Sequence, residues 1–142
     1  MTTLFQLHPR LQQDCICLGR FDLCQLLLMN DSQYPWFILV PERMGIKEIY
    51  QLTETERHTL SEESNYLAEN LMSLYNGDKL NIAAIGNVVP QLHVHHIVRY
   101  QTDKAWPAPV WGKYTATPYR SEELTDIINH VTSKLTTLNK FL

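Results

Sequence analysis

The stretch that most constrains the fold is Gln91-Leu92-His93-Val94-His95-His96-Ile97, in which polar and apolar residues alternate. Successive side chains of a β-strand point to opposite faces, so Gln91, His93 and His95 share one face, spaced by about 6.5–7 Å. The residues between them are mostly apolar, which predicts that they fill the core and that His96 is a buried, hydrogen-bonded histidine. The polar face is the predicted functional side of this strand.

Two imidazoles on one face of a strand suit chemistry at phosphorus. A neutral imidazole is a good nucleophile, and its reference pKa near 6.5 leaves it mostly neutral at pH 7. A second imidazole two residues away can give a proton or a hydrogen bond to the reacting group. Spacing alone leaves other interpretations open, namely ordinary surface or core histidines, or a metal site built from His93, His95 and a distant ligand. No carboxylate or cysteine near His93 and His95 lies at the spacing expected of a further metal ligand.

Two apolar runs in the first third of the chain predict an antiparallel hairpin. Residues 22–29 and 36–40 are separated by Asn30-Asp31-Ser32-Gln33, and Asn and Asp side chains bond to their own backbone in turns. Nearer the N-terminus the sequence predicts a short edge element, a strand and a turn, at residues 4–7, residues 15–18 and Gly19-Arg20.

The rest of the chain predicts two helices around two further strands. Thr53-Glu54-Thr55-Glu56 has the form of a capping box, and leucines then recur every three or four residues until a stop at Asn76-Gly77. Strands follow at residues 80–85 and 91–100, and a last helix begins near Ser121. This order predicts an α+β fold, with a mostly antiparallel sheet, one central helix and a C-terminal helix.

Composition limits the class of protein. A chain of 142 residues fits one domain, and its net charge is −3 with scattered lysines and arginines, which argues against a nucleic-acid partner. We expect a cytoplasmic protein without a membrane partner, since the chain starts without a signal-peptide pattern and no segment has the apolar length to span a bilayer. Its three cysteines are interpreted as reduced, small hydrophobes.

The histidine strand and the order of elements resemble the histidine triad (HIT) family. That family's motif is His-φ-His-φ-His-φ-φ, where φ is hydrophobic. Gln91 takes the first histidine position, His93 the second and His95 the third. The resemblance covers residues 22–100 of a single HIT-like domain spanning 1–142, and leaves 101–142 as a C-terminal extension.

The resemblance implies a nucleotidyl hydrolase or transferase. In this family the central histidine attacks the α-phosphorus of a nucleotide and forms a covalent nucleotidyl-histidine, a role that falls on His93. His95 would bind the phosphate or leaving group. Binding roles fall on Asn87 for the phosphate, Asn30 or Asp31 for the ribose, and Trp36 for the base pocket.

The same resemblance bears on substrates, cofactors and partners. Candidate substrates are dinucleoside polyphosphates, nucleoside phosphoramidates and adenylylated small molecules. The family commonly forms homodimers and often needs no tightly bound metal or other cofactor, although the nucleotide itself can carry a metal ion.

Three departures from the family pattern matter. Gln91 replaces the first histidine, whose backbone carbonyl orients the nucleophile in the family. We hypothesise that Gln91 keeps this function and that its side-chain amide adds a donor toward phosphate. The loop Asn87-Val88-Val89-Pro90 is shorter and more apolar than the usual phosphate loop, and Trp36 stands where the family often carries another histidine. A catalytically weak nucleotide-binding protein is therefore the alternative.

Overall fold

A six-stranded antiparallel sheet with three α-helices makes up the fold, in a computed structural model that describes residues 4–140. The strands are β1 (Cys15–Arg20), β2 (Cys24–Met29), β3 (Trp36–Pro41), β4 (Lys79–Ala83), β5 (Val94–Arg99) and β6 (Asn139–Lys140). The helices are α1 (Pro9–Asp14), α2 (Glu54–Tyr75) and α3 (Ser121–Lys134), with a 3₁₀ helix at Ile49–Gln51. The spatial strand order is β4-β5-β3-β2-β1-β6. The α+β prediction is confirmed, while the domain limits, residues 1 and 142, lie outside the described range.

The predicted hairpin is formed by β2 and β3, which pair antiparallel from Cys24 opposite Pro41 to Leu28 opposite Phe37. The predicted turn at Gly19-Arg20 is wrong, because both residues continue β1 beyond a shift in its register with β2. A Cβ atom on Gly19 would lie 2.4 Å from the Asn139 carbonyl oxygen, so glycine permits the close approach of β6.

Two expectations near the N-terminus also need correction. Residues 4–7 form no regular element, and the chain then enters α1, which was not predicted. Pro9 stands at the start of this helix, where its missing N–H costs nothing, and His8 Nδ1 accepts a hydrogen bond from the Arg10 N–H. The proline therefore begins a helix here.

Helix α2 begins and ends where the sequence predicts. The Thr53 side chain accepts from the Glu56 N–H, and the Glu56 carboxylate accepts from the Thr53 N–H. Asn76, in the left-handed conformation, ends the helix. The buried Glu63 carboxylate accepts hydrogen bonds from the N–H groups of Leu23 and Cys24, which ties the helix to the start of β2.

The sheet buries both of its faces. One face packs against α2 and α3, with a core that includes Leu26, Phe37 and Val98. His96 lies on this side, fully buried, with its Nε2 atom 2.7 Å from Ser64 Oγ, which confirms the predicted buried histidine. The opposite face is covered by α1 and by residues 101–118, so the histidine pair lies beneath the C-terminal extension.

An ion pair anchors the C-terminal extension at the end of β5. Arg99 is only 1% exposed, although charged residues usually lie at the surface. Its guanidinium donates two hydrogen bonds to the Asp103 carboxylate, at 2.7 and 3.0 Å, and lies 5.6 Å from the centre of the Trp106 ring. It also donates to Asn81 Oδ1 and to the Ala108 carbonyl oxygen, each at 2.8 Å. Four of the five N–H groups of this arginine are thus hydrogen-bonded within the fold.

Candidate active site

His93 and His95 form a close pair of rings on the face of the sheet opposite α2. Strand β5 begins at Val94 rather than Gln91, so His93 precedes the strand and His95 lies within it. The two ring centres are nevertheless 4.9 Å apart, and the side chains are 6% and 4% exposed. The alternation read from the sequence therefore brings the two imidazoles together.

The ring of His93 is oriented by the backbone of Gln91. His93 Nδ1 lies 2.7 Å from the Gln91 carbonyl oxygen, and a carbonyl only accepts hydrogen bonds. Nδ1 therefore carries the proton, and Nε2 of the neutral ring keeps a free lone pair. Burial lowers the pKa of His93 from its ordinary value, although the bond to Gln91 opposes this. This is the orientation that the hypothesis for the Gln91 backbone requires.

The side chain of Gln91 takes a different direction from the one predicted. Its Oε1 atom accepts from the His8 N–H at 2.9 Å, and its Nε2 atom donates to the Gln6 carbonyl oxygen at 3.0 Å. One of the two N–H groups of this amide is therefore bound to the N-terminal segment, and the other has no hydrogen-bond partner among residues 4–140. Gln91 instead joins the segment before α1 to the residue that orients His93.

His95 is held between an indole and a backbone carbonyl. Trp36 Nε1 donates to His95 Nδ1 at 3.0 Å, and His95 Nε2 lies 3.4 Å from the Ile85 carbonyl oxygen. The Trp111 ring centre is 5.3 Å from that of His95. Burial, reinforced by the neighbouring His93, lowers the pKa of His95 to about 4. His95 is therefore neutral at pH 7.

A cavity of about 570 Å³ opens onto both rings. Its size lies within the range of small-molecule sites. It is lined by apolar and aromatic side chains together with the two histidines. Those that matter below are Met29, Trp36, Trp111, Asn87, His93 and His95. The pair Arg10 and Asp14 of α1 stands at its edge, joined at 2.8 Å.

The remaining predicted binding residues lie around this cavity. Asn30 and Asp31 line an adjoining cavity of about 500 Å³ that shares Trp36 and Trp111 with the first. Both also hold the C-terminal extension, since Asn30 Oδ1 accepts from the Tyr119 N–H and Asp31 Oδ1 from the Gln33 N–H and, at 3.3 Å, the Thr117 N–H. Their position suits a ligand contact, but their hydrogen bonds have a structural purpose as well.

The loop from Gly86 to Pro90 borders His93 closely. A Cβ atom on Gly86 would lie 2.6 Å from the Val89 carbonyl oxygen and 3.6 Å from His93 Cε1, so the tight loop requires glycine. Asn87 is exposed and lines the large cavity as well as a smaller cleft of about 140 Å³, which also includes His93 and Lys47. The loop thus forms one wall of the space around the His93 ring.

Sequence reasoning gave no role to several residues of this site. Trp111 lines the cavity and contacts the rings of Trp36 and His95. Arg10 and Asp14 belong to no recognisable sequence motif. They lie at the cavity because they are part of helix α1, which the sequence did not predict. Among residues 4–140 no group of three or more His, Cys, Asp and Glu side chains is arranged to hold a metal ion, and no helix could span a membrane.

The buried histidines predict a loss of stability in mild acid. Burial lowers the pKa of both His95 and His96 to about 4, whereas an unfolded histidine titrates near 6.5. Between these values the unfolded chain binds more protons, so the free energy of unfolding falls as the pH drops from 6.5 toward 4. Each ring contributes up to about 3 kcal/mol, with a combined slope of about 2.7 kcal/mol per pH unit.

Urea unfolding at pH 5.0–7.5 measures this slope above the range in which unfolded carboxylates titrate. His96→Gln should reduce this slope by about half, because the unfolded chain then binds about one proton fewer in this pH range. A free energy of unfolding that stays constant from pH 7 to pH 5 would contradict the prediction.

Comparisons with known proteins agree with this geometry. The HIT domain family model matches residues 10–102, well over half of the chain. The chain is 50% identical to a histidine triad protein from Marinobacter aquaeolei VT8, with a TM-score of 0.94 over 96% of this chain and 100% of that one. A histidine triad protein of Sinorhizobium meliloti 1021 is 44% identical, with a TM-score of 0.90 over 92% and 97% of the two chains.

A third histidine triad protein, from Bradyrhizobium japonicum, is 40% identical, with a TM-score of 0.92 over 94% of this chain and 99% of that one. The search of curated proteins found no match. The region matched by the family model includes both His93 and His95. The chain therefore belongs to the histidine triad (HIT) family.

Proposed function

We propose that this protein hydrolyses or transfers nucleotidyl groups through a covalent nucleotidyl-histidine on His93. The observation that carries the proposal is the free Nε2 lone pair of His93, exposed to a large cavity while Nδ1 is held by the Gln91 carbonyl. Proteins of this family are typically nucleotide hydrolases or transferases. A fixed nucleophile beside a nucleotide-sized cavity supports the same activity here.

The proposed reaction has two steps at the α-phosphorus. In the first, His93 Nε2 forms a bond to phosphorus, and the bond from phosphorus to the leaving group breaks with its electron pair on the leaving atom. The imidazole becomes positively charged, and its Nδ1–H bond to the Gln91 carbonyl stabilises that charge. In the second, an oxygen of water or another acceptor forms a bond to phosphorus and loses its proton to solvent, while the bond to His93 breaks with its electron pair on Nε2, which restores the neutral ring.

The proposal assigns binding roles to the cavity walls. The base would lie against Trp36, Trp111 and Met29, since flat aromatic and thioether surfaces suit a planar heterocycle. Asn30 or Asp31 would contact the ribose. Asn87 and His95 would contact the phosphate. The nucleotide itself can bring a metal ion, and the proposal includes no resident cofactor.

One observation favours the alternative of nucleotide binding with weak catalysis. The loop that borders His93 contains Val88, Val89 and Pro90, and proline has no N–H to offer to a phosphate. A site with few backbone donors stabilises the transition-state charge less than a glycine-rich phosphate loop does. Binding would then persist while turnover stayed slow.

Trapping the covalent adduct decides between these two functions. The protein is mixed with a nucleotide labelled at its α-phosphorus, quenched in alkaline detergent to protect the phosphorus–nitrogen bond, and separated by electrophoresis. Label on the wild-type protein, absent from His93→Ala, supports the proposal. Tight equilibrium binding without any labelled protein would favour the binding module.

We further propose that the protein is a homodimer joined through the free edge of β4. Within the described sheet β4 pairs only with β5, and exposed apolar side chains continue from it into the loop, including Ile82, Ile85 and Val88. An unpaired edge with apolar neighbours is a template for a second strand, and an antiparallel copy of β4 satisfies it.

Sedimentation or light scattering measures the mass of the assembly. We expect a dimer for the wild type and a monomer for Ile82→Lys, because lysine on an edge strand opposes pairing. Met44→Lys, at an exposed apolar residue that lines a cleft with Cys17 of β1 and Gln25 of β2, is the matched control and should stay dimeric. A monomeric wild type at high concentration would contradict the proposal.

A further inference from the structure

We propose that Trp36 fixes His95 as a hydrogen-bond donor that cannot protonate the leaving group, so that the preferred substrates are nucleotide anhydrides. The inference rests on the function proposed above and concerns the leaving group, which that proposal leaves open. It separates the candidate substrates into two classes. Phosphoric or mixed carboxylic–phosphoric anhydrides would react, and phosphoramidates would react poorly.

The tautomer of His95 follows from the chemistry of the indole. An indole N–H only donates, so His95 Nδ1, 3.0 Å from Trp36 Nε1, must accept. In a neutral imidazole the proton then resides on Nε2. That proton points to the Ile85 carbonyl oxygen at 3.4 Å, which is longer than the usual range for such a bond, so the hydrogen bond is weak. A substrate oxygen entering the cavity can compete for it.

The same contact opposes a charged His95. A proton on Nδ1 would place two donors face to face in a site where Trp36 is 8% and His95 4% exposed. The groups packed around the ring are Trp36, Trp111 and His93, and none of them supplies a negative charge. Its closest titratable neighbours are histidines, and its low pKa follows from burial and from His93.

The cavity's carboxylate does not change this result. Asp14 lines the cavity but is paired with Arg10 at 2.8 Å. His95 therefore has a single proton, on Nε2. Giving that proton away would leave an imidazolate anion, because Nδ1 carries none. His95 can donate a hydrogen bond to a phosphate oxygen, but it cannot act as a general acid.

Because His95 cannot protonate the leaving group, the rate of the first step depends on how basic that leaving group is. When the bond from the α-phosphorus to a bridging anhydride oxygen breaks, its electron pair stays on a phosphate or carboxylate oxygen, which leaves as a weakly basic anion. When a phosphorus–nitrogen bond breaks, the pair stays on a strongly basic amine nitrogen, which needs a proton. His93 supplies none, since its Nδ1 proton is held by the Gln91 carbonyl and its Nε2 has become bonded to phosphorus.

A series of leaving groups tests the inference directly. The substrates are aryl esters of adenosine 5′-monophosphate with phenols of graded acidity, together with diadenosine triphosphate and adenosine 5′-phosphoramidate. For the wild type we expect kcat/KM to fall steeply as the leaving group becomes more basic. In Trp36→His, which replaces the indole by a titratable ring, the phosphoramidate-to-anhydride ratio of kcat/KM should rise about tenfold, a fraction of what general-acid catalysis provides.

A spectroscopic readout follows the tautomer without any substrate. Nitrogen NMR of the histidine rings should show His95 of the wild type as one neutral form with the proton on Nε2. Trp36→Phe keeps a ring but removes the N–H, and should give a mixed or inverted tautomer. Trp111→Phe is the matched control, because Trp111 also packs on His95 while its own N–H has no partner among residues 4–140. It should change KM but neither the tautomer nor the leaving-group dependence.

The outcomes separate this inference from the proposed function. Equal turnover of phosphoramidates and anhydrides by the wild type would overturn the inference and leave the covalent mechanism intact. The same leaving-group dependence in the wild type and Trp36→His would also overturn it. If the wild type turned over no nucleotide, the proposed function would fail and the substrate preference with it. A proton found on Nδ1 of His95 would remove the indole contact on which the inference depends.

Discussion

His93→Ala should lose at least about 10⁴-fold in kcat on any nucleotide that the wild type turns over, because the substitution removes the atom that we propose attacks phosphorus. The fold should survive, since the described structure gives the ring a single hydrogen bond, to the Gln91 carbonyl, and the side chain borders an existing cavity. Circular dichroism and thermal unfolding check folding, and a steady-state assay checks turnover. His130→Ala, at an exposed histidine of α3, should keep full activity.

Chemical rescue makes this prediction sharper. His93→Gly leaves room for a free imidazole beside the 570 Å³ cavity. Added imidazole should restore part of the activity, more weakly than the tethered ring because the free molecule must be positioned at each turnover. Activity of His93→Ala within tenfold of the wild type would show that another group attacks phosphorus.

Local patterns predicted most of what positions the histidines. The alternation around His93 and His95 follows from the two-residue period of a strand, and the rings do meet on one face. Helix α2 starts at Thr53 because the capping box satisfies N–H groups within three residues, a signal contained in the sequence itself. Such features depend on residues that are close together in the sequence, so they could be predicted from the sequence alone.

Contacts between distant residues could not be predicted. The Trp36 and His95 side chains are 59 residues apart in sequence, and their hydrogen bond exists only because β3 pairs with β5. The Gln91 amide bonds to residues 83 and 85 positions away in sequence, so its direction depends on how the segment before α1 packs rather than on the motif. Charged residues usually lie at the surface, yet tertiary packing buries Arg99 through four hydrogen bonds and two aromatic ring contacts.

Arg99→Met should lower the free energy of unfolding by about 3–5 kcal/mol, the usual cost of removing one partner of a buried ion pair. The methionine fills part of the volume, but the Asp103 carboxylate then remains buried without its cation. Burial raises the pKa of Asp103, and the hydrogen bonds from Arg99 and from backbone N–H groups outweigh this and hold it below its ordinary value. Losing the arginine removes the largest of those opposing contributions.

Chemical denaturation measures the effect, and a surface pair supplies the control. Arg120→Met breaks the pair with Glu123, whose side chains are 74% and 40% exposed, and should change stability by less than about 1 kcal/mol. Asp103→Asn tests the same network from the other side, and a double-mutant cycle with Arg99→Met isolates the coupling. Equal effects of Arg99→Met and Arg120→Met would contradict a buried role for the first pair.

Asp103 also affects the candidate active site, because it shapes the C-terminal extension that covers the histidines. Its carboxylate also accepts from the N–H groups of Ala105 and Trp106, and so shapes the start of the extension that places Trp111 against His95. At a temperature where Asp103→Asn stays folded, we expect KM for the nucleotide to rise several-fold while kcat changes little, because His93 and its Gln91 carbonyl lie outside this loop. A loss in kcat alone would mean that the ion pair acts on the histidines rather than on the wall that covers them.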